Sequence, residues 1–337
     1  MNGFPLSRLP ELMAAMAAVA TVYCPLAGKF APWTEGAVPE LTGNTKLGPK
    51  DLFFPQVEDL VRFRVSGKDL EVLDTQLRQE PFVVFGVRAC DCRALEILDR
   101  VFLTEPVDTF YQARRANGVV ISLACQRPEE TCFCGAFGID GAEPGGDITA
   151  WQGEDTLFFR ANTEKGQALL DRLPLQEAGE DGAEAAKAKT RAILQRLPLG
   201  NLSTQGFGQA ENLLDLFNRP EWSELSASCL GCGACTFVCP TCQCYDIKEF
   251  DNGHEVCRYR CWDSCMYADF TLMSAGQPRP TQVERFRQRF MHKLQYFPAN
   301  NGGIFGCVGC GRCLRQCPIH MNIVKVMKTL GGEDHAS

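Results

Sequence analysis

Apolar and polar positions divide the chain into two regions. Residues 6–20 carry apolar side chains at helical spacing, and residues 21–25 follow as a short strand. Residues 50–55 read as an extended apolar segment ending in proline. Residues 81–87 (PFVVFGV) form a continuous apolar run of strand length, the pattern of a strand covered on both faces. That run opens into a turn at residues 90–92 and a helix over 94–102. Residues 118–124 (GVVISLA) repeat the buried-strand pattern, 151–159 predict another strand and 163–173 another helix. Strand, turn, helix and strand in this order argue for an α/β layer with some parallel pairing. Residues 176–189 are acidic, rich in Ala and Gly, and read as a linker or surface excursion running into a helix that ends near Leu197. A helix over 211–225 leads out of this region, so a boundary is expected between 200 and 225.

From Cys229 onward cysteines replace periodicity. Residues 229–240 (CLGCGACTFVCP) and 307–318 (CVGCGRCLRQCP) share the pattern CxGCGxCxxxCP at every fixed position. The 66 residues between them hold Cys242, Cys244, Cys257, Cys261 and Cys265, and end in a basic amphipathic segment over 282–297. The spacing C-x2-C-x2-C-x3-C-P is that of bacterial ferredoxins. Three thiolates two residues apart wrap one cubane, while the fourth faces away and ligates the cluster of the other copy. Cluster I is therefore expected on Cys229, Cys232, Cys235 and Cys317, and cluster II on Cys307, Cys310, Cys313 and Cys239. Glycines at 231, 233, 309 and 311 permit positive φ and let backbone N–H groups approach sulfur. Zinc, the main rival for Cys-x-x-Cys pairs, requires neither the third cysteine nor the proline. With all eight positions filled by cysteine, no coordination site is left open, so such clusters carry single electrons.

Composition narrows the class. The chain has 337 residues, a 45% apolar content and a net charge of −7. It can bury ordinary cores, and it lacks the basic balance of a nucleic-acid protein. No run of about 18 uncharged apolar residues occurs, so no membrane span is expected. The N-terminus does not read as an export signal. Nineteen cysteines, an odd count in a long chain, disfavour a disulfide scaffold. The cytoplasm is the expected compartment.

Further cysteines extend the chemistry. Cys90 and Cys125 end predicted strands, and in a parallel sheet those ends share one edge. Cys90, Cys125, Cys132 and Cys134, with Cys92 as a competitor, form a candidate set for a third cluster; the alternative is a group of reduced, partly buried thiols. Cys257, Cys261 and Cys265 are four apart and share a face if helical. Cys242, Cys244 and Cys265 form a candidate set for a further metal. Arg285, Arg287, Arg289 and Lys293 offer a basic face to an acidic partner or a phosphate-bearing cofactor, or a solvated helix face. His254 reads as a surface residue and His320 as a packing residue. No GxGxxG, P-loop, Ser/His/Asp or paired-carboxylate motif stands out.

The blocks PFVVFGVRACDCRALEILDRVF, DTFYQARR, CFCGAFG, CLGCGACTFVCPTCQCYD, WDSC and GCVGCGRCLRQCP resemble one family, over residues from about 20 to 330. It comprises the beta subunit of cytoplasmic sulfhydrogenases together with the related iron–sulfur subunit of anaerobic sulfite reductase. The resemblance implies an accessory subunit with a 4Fe-4S dicluster domain. It implies a ferredoxin-reductase-type partner binding FAD and NAD(P)H, and a separate catalytic subunit of hydrogenase, sulfite-reductase or heterodisulfide-reductase-like type. It carries the family's cluster cysteines onto the eight ferredoxin positions. It also favours Cys90, Cys125, Cys132 and Cys134 over Cys92 for the N-terminal set, while Cys92, Cys257 and Cys261 depart from its pattern.

The expected fold is α+β. An α/β domain over 1–215 serves as docking body and third-cluster site. A mostly helical ferredoxin-type domain with two [4Fe-4S] clusters covers 216–331, with an insertion at 241–306, and a tail covers 332–337. The expected role is an electron-transfer subunit of a multi-subunit oxidoreductase, without complete activity alone. The alternative is an enzyme subunit whose N-terminal domain binds flavin or substrate, with Arg88, Arg93, Arg114 and Arg115 contacting an anion.

Overall fold

The apolar run at 82–87 becomes a central strand of the main sheet. The computed structural model describes residues 1–73 and 77–331, and the tail expected at 332–337 lies outside them. Among the described residues the strands are β1 (Asn2–Pro5), β2 (Thr21–Leu26), β3 (Lys29–Pro32), β4 (Val57–Ser66), β5 (Asp69–Leu73), β6 (Phe82–Val87), β7 (Gly118–Leu123), β8 (Ile148–Gln152), β9 (Thr156–Ala161), β10 (Gln176–Glu177), β11 (Tyr245–Asp251) and β12 (Glu255–Trp262). The main sheet runs β10-β1-β9-β8-β7-β6-β2-β3. Its centre is parallel, as the sequence predicts: β2 with β6, β6 with β7, and β7 with β8.

Every residue of β6 is buried, and alternate side chains enter different cores. Val83 and Phe85 join the face covered by helices α1 (Leu9–Ala17) and α5 (Glu164–Leu170). Phe82 and Val84 join the opposite face, with α2 (Lys50–Phe53), α3 (Ala89–Phe102) and Tyr111 of α4 (Thr109–Asn117). Gly86 has φ +87° and sits at a register shift between Phe85 and Val87. This bulge puts Val87 on the second face and aims the chain into α3. Cys90 and Cys92 thus lie in the first turn of α3, not in a turn ahead of it.

Other boundaries also move. Residues 50–53 are helical, and Phe53 and Phe54 are buried in the second core. The strand expected over 151–159 is two antiparallel strands, reversed where the Gly153 N–H bonds the Thr156 carbonyl. Helix α5 starts at a Thr163 cap. The supposed linker supplies edge strand β10 and helix α6 (Asp181–Leu194), whose Ala183 and Ala186 pack on Trp151. The helix expected over 211–225 is broken at Pro220 into α7 (Leu213–Asn218) and α8 (Glu221–Ser226).

The C-terminal part contains α9 (Ala234–Phe237), α10 (Gln282–Met291), a π-helical turn His292–Tyr296, α11 (Phe297–Asn300), α12 (Arg312–Gln316) and α13 (Ile323–Leu330). A capping box of Thr281 and Glu284 starts α10. Phe286, Phe290 and Leu294 pack there with Trp222, Leu314, Val326 and Met327. The insertion is not helical throughout. Strands β11 and β12 form a hairpin that joins β4 and β5 in a second, four-stranded antiparallel sheet. Cys257 and Cys261 therefore share the face of a strand, because Val256, Tyr259 and their neighbours pair across the ladder, and Cys265 lies beyond it. A third cluster of buried residues, including Ala89, Ala94, Ile97, Phe297 and Val308, joins α3 to the second cysteine run.

Candidate metal centres

The two cysteine runs fold alike. Gly233 and Gly311 precede α9 and α12 with φ of +74° and +72°, both left-handed, so each run turns in the same place. In the first run, Cys229, Cys232 and Cys235 line a cavity of about 400 Å3, its open mouth included, and Cys317 of the second run closes it. The four thiols expected to serve one cluster thus surround one space. Gln282 Nε2 donates to Cys229 Sγ at 3.4 Å.

Cys307, Cys310, Cys313 and Cys239 form the second group. Cys239 Sγ lies 3.2 Å from Thr241 Oγ1, which donates to the Gly306 carbonyl at 2.7 Å, so it stands beside the start of the second run. The Gly309 N–H lies 3.5 Å from Cys307 Sγ. Burial pushes the Cys313 thiol up to about 12. In such surroundings a thiolate needs a cation or bound metal to persist.

The third group comes from the N-terminal half. Cys90, Cys125, Cys132 and Cys134 line a cavity of about 410 Å3, open mouth included, together with Arg88, Asn44, Gly309 and Cys310. Cys92 points away, into the core with Leu95, Leu98 and Val120. Burial pushes Cys132 up to about 11 and Cys134 up to about 12. The loop carrying Cys132 and Cys134 touches the second cysteine run directly. Phe133 N–H donates to the Gly309 carbonyl at 2.8 Å, and a Cβ on Gly309 would stand 2.5 Å from the Phe133 backbone.

Of the thiols outside these groups, three make sulfur–sulfur hydrogen bonds. Cys242 hydrogen-bonds Cys239, and Cys265 hydrogen-bonds Cys244, which is held down to about 7. Among the described residues, no three His, Cys, Asp or Glu side chains are gathered to hold a single metal ion. Ligands around a cubane instead ring a space, as the thiols do in the first and third groups.

The arginines offered to an anion are mostly engaged. Arg93 pairs with Glu96, Arg114 with Glu58 and Arg115 with Asp99. Only Arg88 lines a thiol cavity, donating to the carbonyls of Leu41, Leu123 and Ala124. The basic face expected on 282–297 is also divided. Arg285 binds the carbonyls of Arg279 and Pro280, and Arg287 lies over the Phe217 ring. Arg289 and Lys293 are buried and closed to a docking partner, because α10 turns that stripe toward the thiols. His254 is exposed as expected, whereas His320 is exposed rather than packed. Sequence reasoning missed the buried stripe that Arg289 and Lys293 form, although their spacing of seven and eleven residues from Gln282 was legible. It also missed the Arg312–Asp91 pair that ties the second run to α3.

Comparison with known proteins bears on this geometry. A model of the 4Fe-4S dicluster domain matches residues 228–321, which contain both runs. The chain is 34% identical over 294 residues to Sulfhydrogenase 2 subunit beta of Pyrococcus furiosus, covering 84% of this chain and 83% of that protein. The chain belongs to the sulfhydrogenase beta subunit family. The match reaches well beyond the dicluster domain, which spans less than a third of the chain, and so takes in most of the α/β region. No solved structure matches the chain.

The residues fit the clusters that the domain implies. The first cavity has four cysteine donors, the four thiolates a cubane takes, and no carboxylate or histidine among its lining. Arg289, which lines it, carries a buried Nε without a partner and needs an anion beside it. Among the described residues, no helix is long and apolar enough to cross a membrane.

Proposed function

We propose that the chain is the iron–sulfur relay subunit of a multi-subunit cytoplasmic oxidoreductase. It passes single electrons between a FAD- and NAD(P)H-binding partner and a hydrogenase-type catalytic subunit, with no complete activity alone. Cluster I uses Cys229, Cys232, Cys235 and Cys317, and cluster II uses Cys307, Cys310, Cys313 and Cys239. A third [4Fe-4S] cluster uses Cys90, Cys125, Cys132 and Cys134. The clusters supply one-electron redox capacity; the chain holds them, excludes water from the buried thiols and fixes their order.

One observation carries this reading. Cys310, a ligand of cluster II, also lines the cavity of the N-terminal thiols. Cys317 likewise lines the cavity of the first run, and these shared thiols support a relay of three neighbouring centres. The beta-subunit name of the Pyrococcus furiosus relative supports an assembly with other subunits.

The test removes the middle of the relay. Cys310→Ser is expected to damage cluster II and stop electron transfer from the flavin partner to the catalytic partner, with the α/β domain still folded by circular dichroism. Anaerobic reduction of the unaltered chain should give paramagnetic signals split by spin coupling. Undiminished transfer in Cys310→Ser, isolated signals, or stoichiometric flavin on the chain alone would contradict the relay. Iron near sixteen per chain would bring Cys242, Cys244 and Cys265 in as ligands of a fourth centre, at about four irons per cubane.

A further inference from the structure

Seven lysine and arginine side chains are buried in the described residues: Lys50, Arg88, Lys187, Arg260, Arg289, Lys293 and Arg312. Three have carboxylate partners. Lys187 meets Glu143 and Glu184, Arg260 meets Glu58 and Asp108, and Arg312 meets Asp91. The other four have no ion pair with a carboxylate among the described residues, and all four stand at the thiol groups. An unpaired buried cation is strongly destabilising, so each needs an anion that the carboxylates do not supply.

Two of the four belong to one helical stripe. Gln282, Phe286, Arg289 and Lys293 follow at spacings of four, three and four, and so face the same way. Gln282 Nε2 reaches Cys229 of cluster I. Arg289, 3% exposed and with its Nε unpartnered, lines the cavity of cluster I and feels the thiolates of Cys235, Cys313 and Cys239. Lys293, 5% exposed, donates to Thr241 Oγ1 at 2.8 Å and to the Gly306 carbonyl at 3.2 Å, beside Cys239 and Cys307. One end of the stripe thus serves cluster I, its middle both clusters, and its far end cluster II.

We infer that this stripe of α10 and the π-helical turn after it sets the relative potentials of the two ferredoxin-type clusters and makes cluster II the more easily reduced. The inference rests on the two-cluster reading above. A [4Fe-4S] centre with four thiolates is anionic, and reduction adds one more negative charge. A fixed cation nearby favours the reduced form, so potential rises with the number of cations that a cluster faces. Cluster II faces Lys293 and shares Arg289, with Lys50 also close to Cys239. Cluster I shares Arg289 and receives the neutral donor of Gln282, with Arg285 one step farther out on Gln282 Oε1 at 3.3 Å.

The test is a redox titration of the intact chain, followed by electron paramagnetic resonance, with iron and sulfide counted for each variant. Lys293→Met is expected to lower one midpoint, that of cluster II, by about 59 mV, a tenfold loss in the one-electron equilibrium. Arg289→Met should lower both midpoints, and Arg289→Lys should restore them. Gln282→Glu, at a partly exposed position, should lower only the other midpoint. Unchanged midpoints at full iron and sulfide content would overturn the inference and leave the clusters standing. A chain without iron and sulfide would overturn both. If the Met variants lose their clusters, Gln282→Glu and Arg289→Lys decide: equal displacement of both midpoints by Gln282→Glu refutes the assignment.

Discussion

Asp91 and Arg312 offer the sharpest test of how the two regions are joined. Asp91 lies in the first turn of α3, between Cys90 and Cys92, and Arg312 opens α12 between Cys310 and Cys313. The pair is bidentate at 2.6 and 2.7 Å, with side chains 0% and 1% exposed. Arg312 also donates to the Thr45 carbonyl at 2.8 Å and to Asn44 Oδ1 at 2.7 Å. Asp91→Leu leaves a guanidinium buried without its counter-ion, which costs about 3–5 kcal/mol. The double variant Asp91→Leu/Arg312→Met removes both charges and should recover much of that loss, since apolar replacement of a buried pair is often neutral. The assay is anaerobic denaturant unfolding, read by far-UV circular dichroism and by the visible cluster band. A double-mutant cycle is expected to give a coupling above about 1 kcal/mol, as for residues in contact. Additive single substitutions, with coupling below about 0.5 kcal/mol, would refute the idea that this pair clamps the α/β body to the second cysteine run.

Two further perturbations follow. Gly311→Ala puts a Cβ at φ +72° and 2.5 Å from the Thr131 carbonyl, which costs at least about 1–2 kcal/mol for the left-handed backbone alone. It should push the 131–134 loop away and weaken the spin coupling between cluster II and the N-terminal centre, measured at constant iron content. His292 is held down to about 4 by burial, then by Lys293 and Arg279, against an ordinary value of 6.5. Between those values the unfolded chain binds the extra proton, so stability falls as pH drops from 6.5 through 4, by up to about 3 kcal/mol. His292→Gln should flatten that part of a stability–pH curve, and an unchanged slope would count against the buried imidazole.

What could be read in advance followed what local sequence controls. The runs at 82–87 and 118–124 are apolar throughout and became parallel strands, because only a strand covered on both faces needs such composition. The twin cysteine runs carry their own geometry in glycine and cysteine spacing, so the matching turns at Gly233 and Gly311 were legible. Hidden features depended on tertiary partners. Nothing local says that the hairpin 245–262 pairs with β4, nearly two hundred residues earlier. The alanine-rich acidic stretch looked like a linker because its small buried face is made by Trp151, far away in sequence. The basic segment at 282–297 looked like a surface because arginine and lysine are rarely buried unpaired. The thiol sites that face Arg289 and Lys293 invert that expectation.

Iron, acid-labile sulfide and zinc determined together on the anaerobically purified chain test the central claim most directly. Three four-cysteine sites filled by cubanes predict about twelve irons and as many sulfides, with no zinc. About eight of each would remove the N-terminal centre and leave the ferredoxin pair. Zinc at two to four atoms, or roughly one per cysteine group, without sulfide would contradict the account altogether.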